Sequence, residues 1–317
     1  MISVSSAILL FVILPALSLY GYLVMLPSPP LFASVCSPSD PHSLAHQRSS
    51  TSPNEPRASQ QSNGYASASP YPRVLVVVAH PDDECMFFGP TITALTSSNA
   101  DKVFLLCLSS GNYDGLGSIR KKELVDSASE LGISPSHVTV LEDSRIQDHP
   151  HDMWDADIVA EAIRLQVSHH NIDVIVTFDQ FGITNHPNHR SAFHGVRKLI
   201  RSGAVPDPTS DQAQATTASS VLAFSLDSIS LARKYTSVLD LIPTTLLAWL
   251  RSQPQISTDE GPNSRYSGQP LVVVAPPWHV QKGFRAMFRH RSQLVWFRYL
   301  YLASSRYMLI NELHQIK

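Results

Sequence analysis

Short β-branched runs recur along the chain at Val74 to Ala79, Val103 to Leu108, Val138 to Leu141, Val174 to Phe178, Val221 to Leu226 and Leu271 to Ala275, with helix-like stretches between several of them. The runs are almost continuously apolar instead of alternating with polar residues, the pattern of strands covered on both faces. The stretch after the second run has the complementary period: Leu124, Ala128 and Leu131 share one helical face before Gly132 stops it. Such alternation predicts an α/β fold, a Rossmann-like, mostly parallel sheet with helices on both faces.

Ahead of the first strand the composition changes twice. Ile2 to Leu26 carries no charged residue; as a helix it would be about 37 Å long, enough to cross a hydrocarbon core of roughly 30 Å with some tilt. Residues 1–30 are therefore expected to be one transmembrane helix. A cleaved signal peptide is the competing reading, disfavoured by the length and the missing basic n-region. Residues 31–70 are rich in Ser and Pro and nearly lack large aliphatics, so they cannot offset their ordering entropy and are expected to be a disordered tether. The globular domain is expected over 71–317, with polar inserts at Gly203 to Ser220 and Ser252 to Gln269 as surface loops.

A net charge of −2 and a pI near 6.7 provide no global basic field for nucleic acid. Cys36, Cys85 and Cys107 are odd in number and without CxxC spacing, which argues against a disulfide framework and against a zinc ribbon.

In open parallel sheets ligands bind where loops leave the carboxyl ends of the strands. Here the first strand is followed by His80, Asp82, Asp83 and Glu84, the second by "SSGNYDGLG", the third by Glu142 and Asp143, and the fourth by "DQFGITNHPNH" with His186 and His189. A dinucleotide would need a glycine-rich turn after the first strand, and three carboxylates there would repel a pyrophosphate. Imidazoles and carboxylates from two strand ends suit a borderline metal; two His and one carboxylate with an open position is a catalytic zinc arrangement. In His80-Pro-Asp-Asp83 two ligands lie three apart on a turn stiffened by Pro81, and His186-Pro-Asn-His189 repeats the spacing. Read separately, Asp82 or Asp83 could equally cap the following helix and a histidine could be a solvated loop residue. A carboxylate beside a ligating one is placed to act as base for water.

"AHPDDE" with "HPNH" about a hundred residues later resembles the PIG-L family of zinc-dependent de-N-acetylases. The likeness continues through "LCLSSGNYDGLGSIRKKEL", "DVIVTFDQFGITNHPNH" and "MFRHRSQLVWFRYLYLASSRYM", over most of Arg73 to Leu313. The last stretch and the N-terminal segment are similar to the eukaryotic branch, which deacetylates N-acetylglucosaminyl-phosphatidylinositol in the second step of glycosylphosphatidylinositol (GPI) anchor synthesis. The resemblance implies an LmbE/PIG-L-like fold. It further implies that His80, Asp83 and His189 bind Zn2+ or another divalent metal, that Asp82 is the general base toward water, and that His186 stabilises the oxyanion or protonates the leaving amine. It implies an endoplasmic reticulum membrane location with the catalytic domain on the cytoplasmic side, and a glycosylated phosphatidylinositol substrate. Asn188 stands where some bacterial members carry an aspartate, which puts the support of His186 in doubt, although an amide can still hydrogen-bond an imidazole.

Arg120, Asn112 and Asp114 follow the second strand, where sugar hydroxyls and a substrate phosphate could reach them. A guanidinium can bind phosphate through two parallel bonds, and the competing reading of Arg120 is a solvated helix face with Lys121 and Lys122. Glu84 is expected to hold the turn, and His290 to approach the pocket. His149 and His151 lie on a long connection, not at a turn directly off a strand end, and are not expected to form a second metal site. Lys282 to Arg306 carries six basic residues and no acids among Phe284, Phe288, Trp296, Phe297, Tyr299 and Tyr301, either a membrane-surface face or a core-packing helix. Two further functions compete: deacetylation of a soluble N-acetyl sugar, and a non-catalytic subunit of a membrane complex.

Overall fold

The computed structural model describes residues 13–25, 71–202, 221–252 and 270–317. All six expected runs are strands: β1 (Val74–Val78), β2 (Val103–Cys107), β3 (Val138–Val140), β4 (Val174–Phe178), β5 (Leu222–Leu226) and β6 (Leu271–Val274). A seventh, β7 (Ile310–Gln315), has the sequence INELHQ; with Asn, Glu, His and Gln among six residues it lacks the β-branched run that marks the others. The seven form one sheet in the order β3-β2-β1-β4-β5-β7-β6. β1 to β5 pair in parallel, and β7 runs antiparallel between β5 and β6, so the sheet is mostly parallel but mixed.

The helices are α1 (Leu14–Met25), α2 (Asp83–Met86), α3 (Gly89–Asn99), α4 (Gly117–Glu130), α5 (Ala156–His170), α6 (Gly182–Asn185), α7 (Pro187–Arg201), α8 (Leu231–Lys234), α9 (Leu241–Ser252), α10 (Pro277–Arg289) and α11 (Trp296–Ser304). One group packs α5 on α7, with α7 against β1, β4 and β5; a second joins α10 to α3 and α4, with α3 against β2, β6 and β7. The close α5–α7 approach requires Gly195, since a Cβ there would collide with the Val159 side chain. Between the layers every residue of β1, β2 and β4 is buried, and each such Val or Leu contributes roughly 1.5–3 kcal/mol by leaving water.

Of the expected membrane anchor, only 13–25 is described; 1–12, the tether at 31–70 and most of both polar inserts lie outside the described residues. Helix α1 rests on the domain beside α9: Ala16 is fully buried, and the Tyr20 hydroxyl donates to the Ala275 carbonyl at 2.8 Å. Among the described residues no helix is long and apolar enough to cross a membrane.

Near β7 a buried ion network joins distant segments. Arg306 reaches Asp240 at 2.5 Å and Glu312 at 2.6 Å, and Arg233 holds the same Asp240 through two bonds of 2.8 and 2.9 Å. Mutual pairing is what permits these charges to be buried. It also fixes α8 beside the sheet. The direction of strand order reverses at β1, since β2 and β3 lie on one side and β4 and β5 on the other. This is the switch point whose carboxyl-end crevice receives ligands.

Candidate active site

Leaving β1, the chain turns on its own carboxylates. Asp83 Oδ2 accepts from the backbone N–H of Ala79 at 3.1 Å and of His80 at 2.9 Å, and the N–H of Asp82 donates to Glu84 Oε2 at 3.0 Å. Asp82 is thereby held at φ 110°, ψ −22°, a region that a residue with a Cβ occupies at a cost of about 1–3 kcal/mol and that marks functional turns. Its carboxylate meets Arg298 Nη2 at 2.6 Å and Arg120 Nη2 at 3.6 Å. Burial raises the Asp82 carboxyl above its ordinary range against the opposing pull of Arg298 and Arg120.

The β4 end is built by Asp179, which accepts from the N–H groups of Phe181 (3.0 Å), Gly182 (2.9 Å) and Ser228 (2.8 Å). Gly182 adopts φ +56°, and a Cβ there would stand 2.8 Å from His189 Cβ; the turn and the close approach both exclude a side chain. Ile183, β-branched, takes φ 65° next to it, a second strained residue beside the site. The Gly182 carbonyl accepts from His189 Nδ1 at 3.0 Å, and the His189 ring stacks on Phe178 at 4.1 Å and 3°. This orientation turns His189 Nε2 to Asp83 Oδ1, 3.2 Å away. Burial alone would raise Asp83, but His189 and His80 hold its carboxyl well below the usual range.

His80 is oriented from its far nitrogen. Nε2 lies 3.1 Å from Asp148 Oδ1 and donates at 2.9 Å to the Asn188 side-chain oxygen, in the amide orientation that also lets Asn188 donate to the Asp152 and His149 carbonyls. That leaves Nδ1 on the side of Asp83 Oδ2, at 3.7 Å. Burial would lower the His80 pKa; the hydrogen bond to Asp148 and the charges of Asp83, Asp148 and Asp82 raise it. Asn188 thus does hydrogen-bond an imidazole with its side chain, but that of His80; His186 receives its backbone N–H on Nδ1 at 3.3 Å. This bond makes His186 the N-cap of α7, with Pro187 at the first helical position. Burial first, then the neighbouring His189 and His80, pushes His186 down to about 4.

The structure therefore gathers His80, Asp82, Asp83, His186 and His189 at the switch point. His80, His186 and His189 each offer a nitrogen within 4.8 Å of one another, and Asp83 Oδ1 adjoins His189. Imidazoles fixed at their far nitrogen by a carboxylate or a carbonyl, with a carboxylate between them, fit a divalent metal. His186 is close enough to join that set as well as to act beside it.

The remaining expected residues divide. Arg120 is buried and donates to the carbonyls of Pro81 (2.6 Å) and Gly111 (3.0 Å). It braces the turn around Asp82 and is not a solvated helix face; the bidentate phosphate contact expected of it has no geometric support. Asn112 is exposed, accepts from the Gly117 N–H and lines an open cleft of about 440 Å³ with Tyr113, Arg145, Asp148, His149 and Trp154; Asp114 is exposed. Glu84 holds the turn, and its Oε1 takes bonds from Ser127 (2.5 Å) and from His290 Nε2 (2.7 Å). His149 pairs with Asp152 at 2.9 Å. Sequence reasoning missed Asp148, Trp154 and Arg298. The first two lie in "QDHPHDMWD", a cluster of His and Asp on a long connection away from any strand end. Arg298 was visible only as part of a basic-aromatic stretch.

The family model described as PIG-L, GlcNAc-PI de-N-acetylase, matches residues 75–200. The chain is 39% identical to the probable N-acetylglucosaminyl-phosphatidylinositol de-N-acetylase of Schizosaccharomyces pombe over 76% of this chain and 85% of that one. Its identity to the N-acetylglucosaminyl-phosphatidylinositol de-N-acetylase of Bos taurus is also 39%, over 76% of this chain and 83% of that one. The Saccharomyces cerevisiae protein of the same name is 33% identical over 75% and 79%.

Proposed function

We propose, for a chain that belongs to the PIG-L family of GlcNAc-PI de-N-acetylases, that it hydrolyses the N-acetyl group of N-acetylglucosaminyl-phosphatidylinositol. The products are acetate and glucosaminyl-phosphatidylinositol, and the reaction is the second step of GPI anchor synthesis. The observation that carries the reading at the level of chemistry is the meeting of two distant motifs: Asp83 and His189 touch at 3.2 Å with Asp82 one residue away.

His80, Asp83 and His189 would hold the metal, which we infer to be zinc from the imidazole and carboxylate donors. When bound, such an ion lowers the pKa of water and polarises the acetamide carbonyl. Asp82, restrained toward its ionised form by Arg298 and Arg120, takes the proton from the attacking water and returns it to the amine nitrogen as the C–N bond breaks. Because His186 Nδ1 accepts from the backbone, its Nε2–H is the donor available to a developing oxyanion. The cleft that joins the centre at Asp148 and Trp154 receives the sugar. A competing assignment makes His186 the third nitrogen ligand, favoured by its 4.8 Å ring separation from His189. Metal retained in His186→Ala would exclude it.

Location is part of the proposal: a membrane anchor within 1–30 and a catalytic domain at the cytoplasmic face of the endoplasmic reticulum. The uncharged N-terminal segment supports it, as do Trp296, Phe297, Tyr299 and Leu300, all exposed on α11. The test of the whole reading is acetate release from N-acetylglucosaminyl-phosphatidylinositol by the purified protein and by His189→Ala, with bound zinc measured in both. Release and zinc both lost in the variant support it; zinc bound by the wild type without release would leave a binding role.

A further inference from the structure

Lys234 closes helix α8 only 5% exposed, with no carboxylate or carbonyl partner for its ammonium among the described residues. Three aromatic rings surround it: Phe87 at 5.9 Å, Tyr235 at 5.6 Å and Tyr301 at 5.8 Å to the centroids. Cation–π contacts recover only part of what a buried unpaired charge loses in solvation. Burial, and then the like charge of Arg298, push the lysine below its ordinary range. Arg298 is itself incompletely used: Nη2 binds Asp82, Nη1 faces the Met86 sulfur, and buried Nε has no hydrogen-bond partner. Two cations with open donors in one place call for an anion.

Position identifies the kind of anion. The Phe87 ring that caps Lys234 also packs edge-on against the ring of His189, 5.8 Å away, so one aromatic residue separates the ammonium from the proposed metal site. On the outer side, Tyr235 is half exposed, and α11 turns Trp296, Phe297, Tyr299 and Leu300 to solvent around Arg298. The cations thus lie between the reaction centre and an apolar surface. In a glycolipid the phosphodiester lies between the sugar and the acyl chains. Arg233, bidentate to Asp240, fixes the helix that presents Lys234.

We propose that Lys234 and Arg298 form the subsite for the substrate's phosphodiester, which rests on the functional reading above. The guanidinium offers Nε while keeping Asp82 on Nη2, and the ammonium supplies the second charge.

The test compares acetate release from N-acetylglucosaminyl-phosphatidylinositol with release from its phosphate-free counterpart, N-acetylglucosaminyl-inositol, using the full chain in detergent. In Lys234→Met the ratio of the two kcat/KM values falls about tenfold or more, and Lys234→Arg restores it in part. An unchanged ratio overturns the subsite. The wild type should also bind myo-inositol 1-phosphate at least about tenfold more tightly than myo-inositol in titration calorimetry, a preference lost in Lys234→Met. This second measurement stands even if neither substrate is turned over, so failure of the subsite and failure of the functional reading are distinguishable. Equal binding of the two probes would also overturn the subsite.

Discussion

Asp82 and Arg298 meet at 2.6 Å across 216 positions of sequence, which ties the turn leaving β1 to a helix near the C-terminus. The contact sets a carboxylate that burial alone would neutralise beside a cation that favours its charged form. A general base needs that balance, since a fully relaxed carboxylate is a weaker base and an isolated buried one is protonated.

Asp82→Asn keeps the shape of the side chain and removes the proposed base. Acetate release should fall by about 10²- to 10⁴-fold in kcat, while bound zinc, measured by atomic emission, stays at the wild-type level. Zinc lost together with activity would mean that Asp82, and not only Asp83, ligates the metal.

Asp148 tests the support behind the centre. It lies 3.1 Å from the far nitrogen of His80, and removal of such a partner typically lowers metal affinity about 10- to 100-fold. Asp148→Ala should therefore lose zinc at chelator concentrations that leave the wild type loaded. Equal zinc retention would assign Asp148 to the sugar cleft alone.

The strands, and the gathering of the two His- and Asp-bearing motifs at their ends, were legible because apolar β-branched runs and the polar residues that follow them are local signals. β7 was not, since an antiparallel strand closing the sheet between β5 and β6 needs no continuous apolar run, and INELHQ is built for its buried contacts with Arg306 and Thr91. The bracing by Arg120 was hidden for a related reason: spacing places it on a helix, but only the folded turn shows that the Pro81 and Gly111 carbonyls take its two Nη donors. Lys234 gave no sequence signal, because its significance comes from three rings and an arginine brought together by three separate segments.

Gly182 carries His189 on its carbonyl and sits at φ +56°. In Gly182→Ala the new methyl must displace His189, so zinc binding and acetate release should fall together, with a stability loss of about 1–3 kcal/mol in denaturant unfolding. Normal zinc affinity in a folded Gly182→Ala protein would show that the ligand geometry does not depend on this turn.

The pair beneath the turn should leave its mark on stability as a function of pH. Glu84 and His290 are both fully buried and 2.7 Å apart. Burial opposes both charges, yet each group shifts the other toward ionisation, so Glu84 is lowered and His290 raised. For His290 the stabilisation is complete below its ordinary value of 6.5 and is lost as pH rises through the higher folded value. For Glu84 it is complete above 4.5 and is lost as pH falls through the lower folded value. The pair therefore contributes most between 4.5 and 6.5. His290→Gln retains a donor but not the charge, and breaking a buried pair costs about 3–5 kcal/mol. Its deficit in Tm relative to wild type should be largest in that window and shrink on the alkaline side, as wild-type His290 loses its proton. A deficit constant from pH 5 to pH 9, measured by thermal unfolding with zinc saturating, would mean that the histidine is held as a neutral hydrogen-bond partner and that Glu84 positions Asp82 without an ion pair beneath it.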